Sequence, residues 1–246
     1  MALWANIFWG LSFIATKVAL REVDPFTLLT TRFGIGAFLL LLVQFHKDKG
    51  FLKIFSYRDW IYIFLLAIVG VAGHILLQAY GLLYTTAINT GWIVAIYPIF
   101  ITIAARLFLE EEITIRKIVG IILGFSGIFL IISKGVFITP IMMAGFLTVI
   151  PFSGVKGGWQ ILFHLSLNSW ASILFLGIFC SGLAYLFWYS ALEKRDSSVV
   201  GMYLYLEPFV TLIGAYLFLG EEIRWITLVG GGMTLLGVYL ATRRTS

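Results

Sequence analysis

The 246-residue sequence is poor in charge and in cysteine. Only 12% of its residues are charged, and Cys180 is its single cysteine. One cysteine excludes an intramolecular disulfide and a Cys-based metal cluster. No P-loop, HExxH, GxSxG or GxGD-like pattern occurs either, so the sequence predicts no enzyme, no metal, no cofactor and no direct ATP drive. The net charge is +5, but in so apolar a chain we expect the basic residues to lie mostly in short loops, where they set membrane topology, and not to bind nucleic acid.

Hydrophobic residues, by contrast, make up 61% of the chain. They form runs whose length is close to the roughly 20 residues that a helix needs to cross a ~30 Å hydrocarbon core. Strands of a membrane barrel would instead alternate with period two over about ten residues. The sequence therefore predicts an all-α polytopic membrane protein with nine candidate spans, at residues 2–20, 25–45, 60–83, 87–109, 118–132, 137–155, 171–192, 199–219 and 226–242.

The chain also repeats itself at an offset of 110 residues. This offset places Pro98 on Pro208, Gly120 on Gly230, and "LFLEEEI" at 107–113 on "LFLGEEI" at 217–223. Matched prolines, glycines and acidic turns indicate an internal duplication, which is a common build for secondary transporters. We predict a first repeat at residues 1–133, with five transmembrane helices, and a second at 134–246, with four recognisable ones.

Four segments carry a resemblance to a known family. They are "WGLSFIATKVAL" at 9–20, "PFTLLTTRFGIGAFLLLL" at 25–42, "YPIFITIAARLFLEEEIT" at 97–114 and "EPFVTLIGAYLFLGEEI" at 207–223. Together they resemble the EamA family of the drug/metabolite transporter superfamily. The resemblance implies two inverted five-helix repeats, ten helices in all, that export or exchange small metabolites through a central cavity.

The second half departs from this pattern, because the expected sixth helix is absent from the chain. Residues 137–155 resemble the second helix of a repeat, with Pro140 where Pro25 stands. The step from Ser133 to Pro140 reaches at most about 25 Å, too short to recross a bilayer unaided. A ten-helix layout with an inner N-terminus puts eleven loop Lys and Arg residues inside and four outside, against nine and six for nine helices. We therefore expect that about one helix and its loop are missing, although a natural nine-helix variant remains open.

The ten-helix layout also predicts where the protein resides and how it is oriented. We expect an integral protein of a prokaryotic inner membrane with both termini cytoplasmic. In that layout Glu110–Glu112 lie on the cytoplasmic side and Glu221–Glu222 on the outer side. Each acidic turn could be a gate that pairs with Lys or Arg on a neighbouring helix, or only a solvated turn at a helix start, where the helix dipole favours carboxylates.

Ionisable residues inside the spans are candidates for function, because they are costly in hydrocarbon. Glu207, beside Pro208, lies about 12 Å into its helix at ~1.5 Å per residue. Its repeat mate is Tyr97, beside Pro98. Glu207 could exchange protons with substrate or solvent, or it could be a packing residue bonded to a neighbouring hydroxyl or indole.

Other polar and aromatic residues fall within the spans. Arg32, about 10 Å inside, needs a carbonyl, a substrate carboxylate or Glu207 as its partner, while Lys17 could simply snorkel. His74 and Gln78, four residues apart, point the same way and could line a cavity or pack. Aromatic side chains could form a stacking wall, a lipid belt or packing contacts. The predicted substrate-binding residues are Trp9, Arg32, His74, Gln78, Tyr80, Trp92, Tyr97, Trp188, Tyr203 and Glu207.

The predicted function is that of a secondary transporter. It would move a small metabolite or drug-like solute by alternating access through a central cavity, with the lipid bilayer as its surroundings and protons as a candidate coupling ion. A channel or a non-transporting membrane scaffold is the alternative, because both make looser demands on sequence.

Overall fold

The computed structural model describes residues 1–47, 56–94, 159–194, 200, 202–223, 225 and 228. These residues contain helices and turns but no strand, which confirms the predicted all-helical class. The predicted spans at 118–132 and 137–155 and nearly all of 226–242 lie outside the described residues. The inverted repeat and the number of helices stay predictions.

Six helices make up the described part. We name them in chain order: α1 (Ala2–Ala19), α2 (Pro25–Lys47), α3 (Tyr57–Tyr84), α4 (Ala87–Val94), α5 (Leu167–Leu192) and α6, which joins a 3₁₀ turn (Met202–Leu206) to Glu207–Gly214 and Ala215–Leu219. A short 3₁₀ helix (Trp159–His164) precedes α5. Within the described residues, α1, α2, α3 and α5 are long and apolar enough to cross a membrane.

Short polar side chains mark where the helices begin. Asp24 Oδ1 accepts hydrogen bonds from Phe26 N (3.0 Å) and Thr27 N (3.2 Å) at the start of α2. Ser56 and Asp59 form a capping box before α3, and Ser166 caps α5 through the Ser169 N–H. These contacts satisfy N–H groups that the first turn of a helix leaves without partners.

Three helices contain a π-helical stretch in their interior or last turn. The stretches are Ala67–Gly73 in α3, Phe175–Leu183 in α5 and Ala215–Leu219 in α6. A π-helical turn holds more residues than an α turn and frequently occurs at functional sites. The stretch in α5 contains Cys180 and Ser181, which lie at the centre of the site described below.

Helix α1 lies at the centre of the described bundle, packed against α3, α4, α5 and α6. Helices α1 and α6 are in close contact at Gly10. A Cβ atom added at this glycine would come within 2.9 Å of the Glu207 carbonyl oxygen. The Thr211 hydroxyl lies 2.8 Å from Gly10 O and 2.9 Å from Glu207 O. α4 meets α6 in a similar way, since a Cβ at Gly91 would lie 2.8 Å from Thr211 Cβ. Glycines therefore let both helices approach α6 closely.

Four connections meet at one end of the bundle, at residues 20–24, 85–87, 165–167 and 219–223; we call this the Glu221 end. The Glu22 carboxylate accepts hydrogen bonds from Ser166 N, at 2.7 Å, and from the Ser166 hydroxyl. These bonds hold the pKa of Glu22 below its usual value. The Glu22 contact fixes the start of α5 at the same end as the C-terminus of α1.

Candidate functional site

Arg32 projects from α2 into the interior of the bundle and is only 4% exposed. Its Nε donates a 2.8 Å hydrogen bond to Ser181 Oγ on α5. One turn further along α2, an added Cβ at Gly36 would lie 2.7 Å from Ser181 Cβ. The glycine lets α2 and α5 come close enough for Arg32 to reach the hydroxyl.

The two terminal amino groups of Arg32 have no acceptor among the described residues. The guanidinium carbon lies 5.9 Å from the centre of the Phe33 ring, within the range of a cation–π contact. No carboxylate in the described ranges lies within ion-pair distance of Arg32. Among the described residues its hydrogen-bond partner is thus a hydroxyl, and its other N–H groups have no acceptor there.

Glu207 begins the α-helical part of α6 and is 6% exposed. No side chain or backbone donor in the part of the chain that the structure describes bonds to its carboxylate. The backbone of Glu207 lies against Gly10 of α1, beside Trp9, whose Nε1 donates to Cys180 O of α5. Two buried ionisable side chains, Arg32 and Glu207, therefore lie in the interior of the bundle, and neither has an ion-pair partner among the described residues.

Aromatic rings surround this stretch of α5. The Trp9 ring lies 5.4 Å from Tyr185 and 5.3 Å from Trp188, and Trp9 Nε1 donates a 3.2 Å hydrogen bond to Cys180 O. Tyr185 and Trp188 are both buried. The structure thus brings two predicted aromatic residues, Trp9 and Trp188, into contact beside the buried charges.

Sequence reasoning missed Ser181 and Tyr185. They stand four residues apart, and Trp188 follows three residues later, the spacing of a single helix face. A polar hydroxyl followed by two aromatic residues at this spacing was a usable signal. Its weakness is that the same pattern also suits ordinary helix packing.

The remaining predicted site residues are more scattered. His74 is exposed, and Gln78 is half-buried. Tyr80 is exposed and packs edge-on against Phe26, with ring centres 6.2 Å apart. Tyr203 is 40% exposed, and Tyr97 lies outside the described residues.

Trp92, on α4, is buried, and its Nε1 atom has no hydrogen-bond partner within the described part of the chain. Its ring meets Phe209 of α6 edge-on, with ring centres 5.7 Å apart. A buried donor without a partner is uncommon in native proteins. Trp92 therefore supplies a second unused polar group beside α6, in addition to Glu207.

A separate polar cluster lies at the Glu221 end. We call it the Glu221 cluster; it consists of Lys17, Thr85, Ala87, Ile88 and Glu221. Lys17 Nζ lies 3.0 Å from Glu221 Oε1 and donates to Thr85 O at 2.7 Å. Glu221 also accepts from Ala87 N (2.8 Å) and Ile88 N (3.0 Å), the first N–H groups of α4. Only 10% of the Glu221 side chain is exposed. One carboxylate thus holds together α1, α4 and the end of α6.

The two alternatives for the acidic turns are distinguished in part by this geometry. Glu221 is not a solvated carboxylate in the structure, and it pairs with a lysine on a neighbouring helix, as the gate interpretation requires. Glu222 is exposed, and Glu110–Glu112 lie outside the described residues. No cluster of His, Cys, Asp and Glu side chains in the described ranges could hold a metal.

Comparisons with known proteins give the chain its family context. A transporter of Archaeoglobus fulgidus described as uncharacterized is 31% identical, over 97% of this chain and 94% of its own length. The uncharacterized transporter YyaM of Bacillus subtilis is 24% identical, over 98% of this chain and 92% of its own length. A solved crystal structure shares the fold, with a TM-score of 0.70 at 14% identity and coverage of 98% of this chain and 94% of that one.

Both sequence alignments contain positions that this chain does not fill. The Archaeoglobus alignment has 278 positions, but 97% of 246 residues is about 239, so about 39 positions have no residue here. The Bacillus alignment has 283 positions for 98% of the chain, which leaves about 42. About 40 residues is the length of one membrane-spanning helix and a connecting loop.

The family assignment rests on the whole chain. The sequence model of the EamA-like transporter family matches residues 1–133 and 136–243. The all-helical structure and the relatives' descriptions as transporters agree with this match, and they point to a membrane transporter and not to an enzyme. The chain belongs to the EamA-like transporter family.

Proposed function

We propose that the chain is a secondary transporter that moves a small metabolite or drug-like solute by alternating access through a central cavity. The observation that carries this proposal is the pair of buried ionisable side chains, Arg32 and Glu207, which have no ion-pair partner in the described residues. Burying a charge without a partner costs several kcal/mol, and ionisable residues inside a membrane commonly mark a solute or ion pathway. A transport site explains why both ionisable side chains are present.

The Glu221 cluster suits the closed gate of such a carrier. Opening this end requires α1, α4 and α6 to separate, which breaks the Lys17–Glu221 pair and two bonds from the start of α4. The contacts are few and polar, so the groups that make them can form hydrogen bonds with water when this end opens. In this proposal the described conformation is closed at the Glu221 end.

Glu207 is the candidate proton carrier. Its carboxylate has no described hydrogen-bond partner, and an ionised carboxylate in that position lacks the stabilisation that a partner would give. A proton or a solute cation could supply it. We take the proton as the coupling ion, because a carboxylate is the side chain that can gain and lose one in such a site.

The contacts at the Glu221 end also support a topology. Residues 85–87 and Ser166 lie at the same end, so an even number of crossings must separate them. The sequence between them contains three apolar segments, at 87–109, 118–132 and 137–155. If the roughly 40 positions that the relatives fill fall in this part of their chains, they would supply a fourth crossing there. The contacts are thus consistent with a ten-helix family fold that has both termini on one face, and the distribution of Lys and Arg favours the cytoplasmic face.

Reconstitution separates the carrier from its alternatives. The purified protein would be placed in liposomes and tested with labelled amino acids, organic acids, nucleotide sugars and cationic drugs, each with and without the same unlabelled solute inside. A carrier gives saturable uptake that internal solute stimulates. Unsaturable flux would indicate a channel, and no flux of any solute would leave the scaffold interpretation.

A further inference from the structure

We propose that Arg32 binds the anionic group of the transported solute, and that this solute is a small organic anion with an aromatic or other apolar body. The inference rests on the proposed function, because it assigns a substrate class to the same site. It follows from three features of the described residues: the N–H donors of Arg32 that have no acceptor among them, the absence of a counter-charge among them, and the aromatic rings of α1 and α5.

The donors of Arg32 are arranged for an oxyanion. A guanidinium group has five N–H donors in one plane, and only Nε–H is used among the described contacts, by Ser181 Oγ at 2.8 Å. The terminal amino groups keep four N–H bonds without a described acceptor. Because the Ser181 bond fixes one edge of the group, the orientation of the remaining donors is set before a solute arrives. Two parallel N–H bonds to a carboxylate or phosphate are the geometry that arginine favours.

The charge itself needs an explanation that packing does not provide. Arginine stays protonated in proteins, and Arg32 is 4% exposed. If Arg32 served only to bind Ser181, a neutral amide such as glutamine could donate the same bond without burying a charge. Within the described residues the ion pair that the structure contains is Lys17–Glu221, at the end of the bundle. A bound anion would supply the counter-charge that Arg32 lacks.

The neighbouring rings define the rest of the solute. Ser181, which accepts the Arg32 hydrogen bond, lies one helical turn before Tyr185, and the Trp9 ring lies against both Tyr185 and Trp188. Flat apolar groups stack well on such rings. An anion without an apolar body could pair with Arg32, but it would have no group to pack against the rings. Glu207 could bind a cation instead, so a cationic solute is the competing assignment.

The test compares solutes that share a body and differ only in charge. Thermal unfolding of the purified protein in detergent would be measured with indole-3-acetate, indole-3-acetamide and tryptamine, and with hexanoate, hexanamide and hexylamine. Phenyl phosphate would distinguish a phosphate from a carboxylate as the preferred anion. A ligand that binds only the folded protein at about ten times its Kd should raise Tm by about 3–5 °C.

We expect the two carboxylates or the phosphate to raise Tm, and the amides and amines to leave it unchanged. Arg32→Gln should lose this shift, while its own Tm without ligand should be equal to or above that of the wild type, because a buried charge has been removed. The matched control, Arg21→Gln, changes an exposed arginine in the turn after α1 and should keep the full shift. Ser181→Ala keeps the charge but frees the guanidinium, so it should weaken the shift without removing it.

Three results would overturn the assignment. In the first, the amines or amides raise Tm and the anions do not. In the second, no anion raises Tm at millimolar concentration. In the third, the anions raise the Tm of Arg32→Gln as much as that of the wild type. If Arg32→Gln does not fold, the test rests on Ser181→Ala. An anion-induced Tm shift that is the same in Ser181→Ala as in the wild type would contradict the proposal that Ser181 orients the guanidinium for the anion. Counterflow of a neutral or cationic solute that Arg32→Gln leaves intact would refute the anion class while leaving the carrier standing.

Discussion

Replacing Glu221 with glutamine tests whether the Glu221 cluster holds one end of the protein closed. The glutamine side chain would keep one carbonyl oxygen and so retain at most one of the two bonds from Ala87 N and Ile88 N. It would lose the charge that pairs with Lys17. The matched control is Glu222→Gln, which removes an exposed carboxylate one residue further along.

The expected size of the effect follows from these contacts. A hydrogen bond to a charged group is worth about 1.5–3 kcal/mol, whereas the ion pair with Lys17, whose side chain is 28% exposed, adds only about 0.5 kcal/mol after solvent screening. Allowing for the bond that glutamine keeps, we expect closure to weaken by about 2 kcal/mol. That corresponds to about a 30-fold larger open fraction.

Cys180 provides the readout, because it is the single cysteine and is fully buried beside Ser181. If opening is fast compared with alkylation, the rate of modification by N-ethylmaleimide follows the open fraction. Glu221→Gln should therefore raise that rate about 30-fold, and Glu222→Gln should leave it unchanged. Alkylation of Glu221→Gln at the wild-type rate would show that the cluster does not hold the closed state.

Three further predictions follow from the same structure. Glu207→Gln should fold, with Tm within ~2 °C of the wild type, but lose the pH dependence of turnover; normal transport at every pH would defeat the proton role. Because hydrogen bonds hold the pKa of Glu22 below its ordinary value of 4.5, the stabilisation they give is present above pH 4.5 and is lost as the pH falls through the lower pKa of the folded protein. Glu22→Gln should accordingly melt below the wild type at neutral pH, with a gap that closes only below pH 4.5; a gap that persists in acid would contradict this. Reporter tags at Met1 and Ser246 should both report a cytoplasmic location, and tags on opposite faces would overturn the topology.

The helical class was predictable because long apolar runs leave few other folds in a membrane. Boundaries were nearly right as well: the spans predicted at 60–83 and 171–192 are Tyr57–Tyr84 and Leu167–Leu192 in the structure. The sequence missed the extra residues at the start of α3 and α5 because they are polar or mixed. Their helical state comes from the caps at Ser56 and Ser166 and not from hydrophobicity.

The site was predictable by residue type but not by pairing. Charge inside a span singled out Arg32 and Glu207, and both are buried. The sequence could not show that Arg32 bonds to Ser181, which lies 149 residues away, because such a contact depends on how closely α2 and α5 pack at Gly36. Likewise, the sequence predicted that an acidic turn could pair with a basic residue. It did not predict that Glu221 would also accept hydrogen bonds from the N-terminus of α4.

Helix α6 carries Glu207 near its start, and Glu221 follows just after its end. The two residues are 14 positions apart, about 20 Å along a helix axis. The helix packs closely on α1 at Gly10 and on α4 at Gly91, so a tilt of α6 would change both contacts together. If protonation of Glu207 favours release of Glu221, then release must raise the proton affinity of Glu207 by the same factor, because linkage is reciprocal. A single helix would thus couple a proton at one end to the gate at the other.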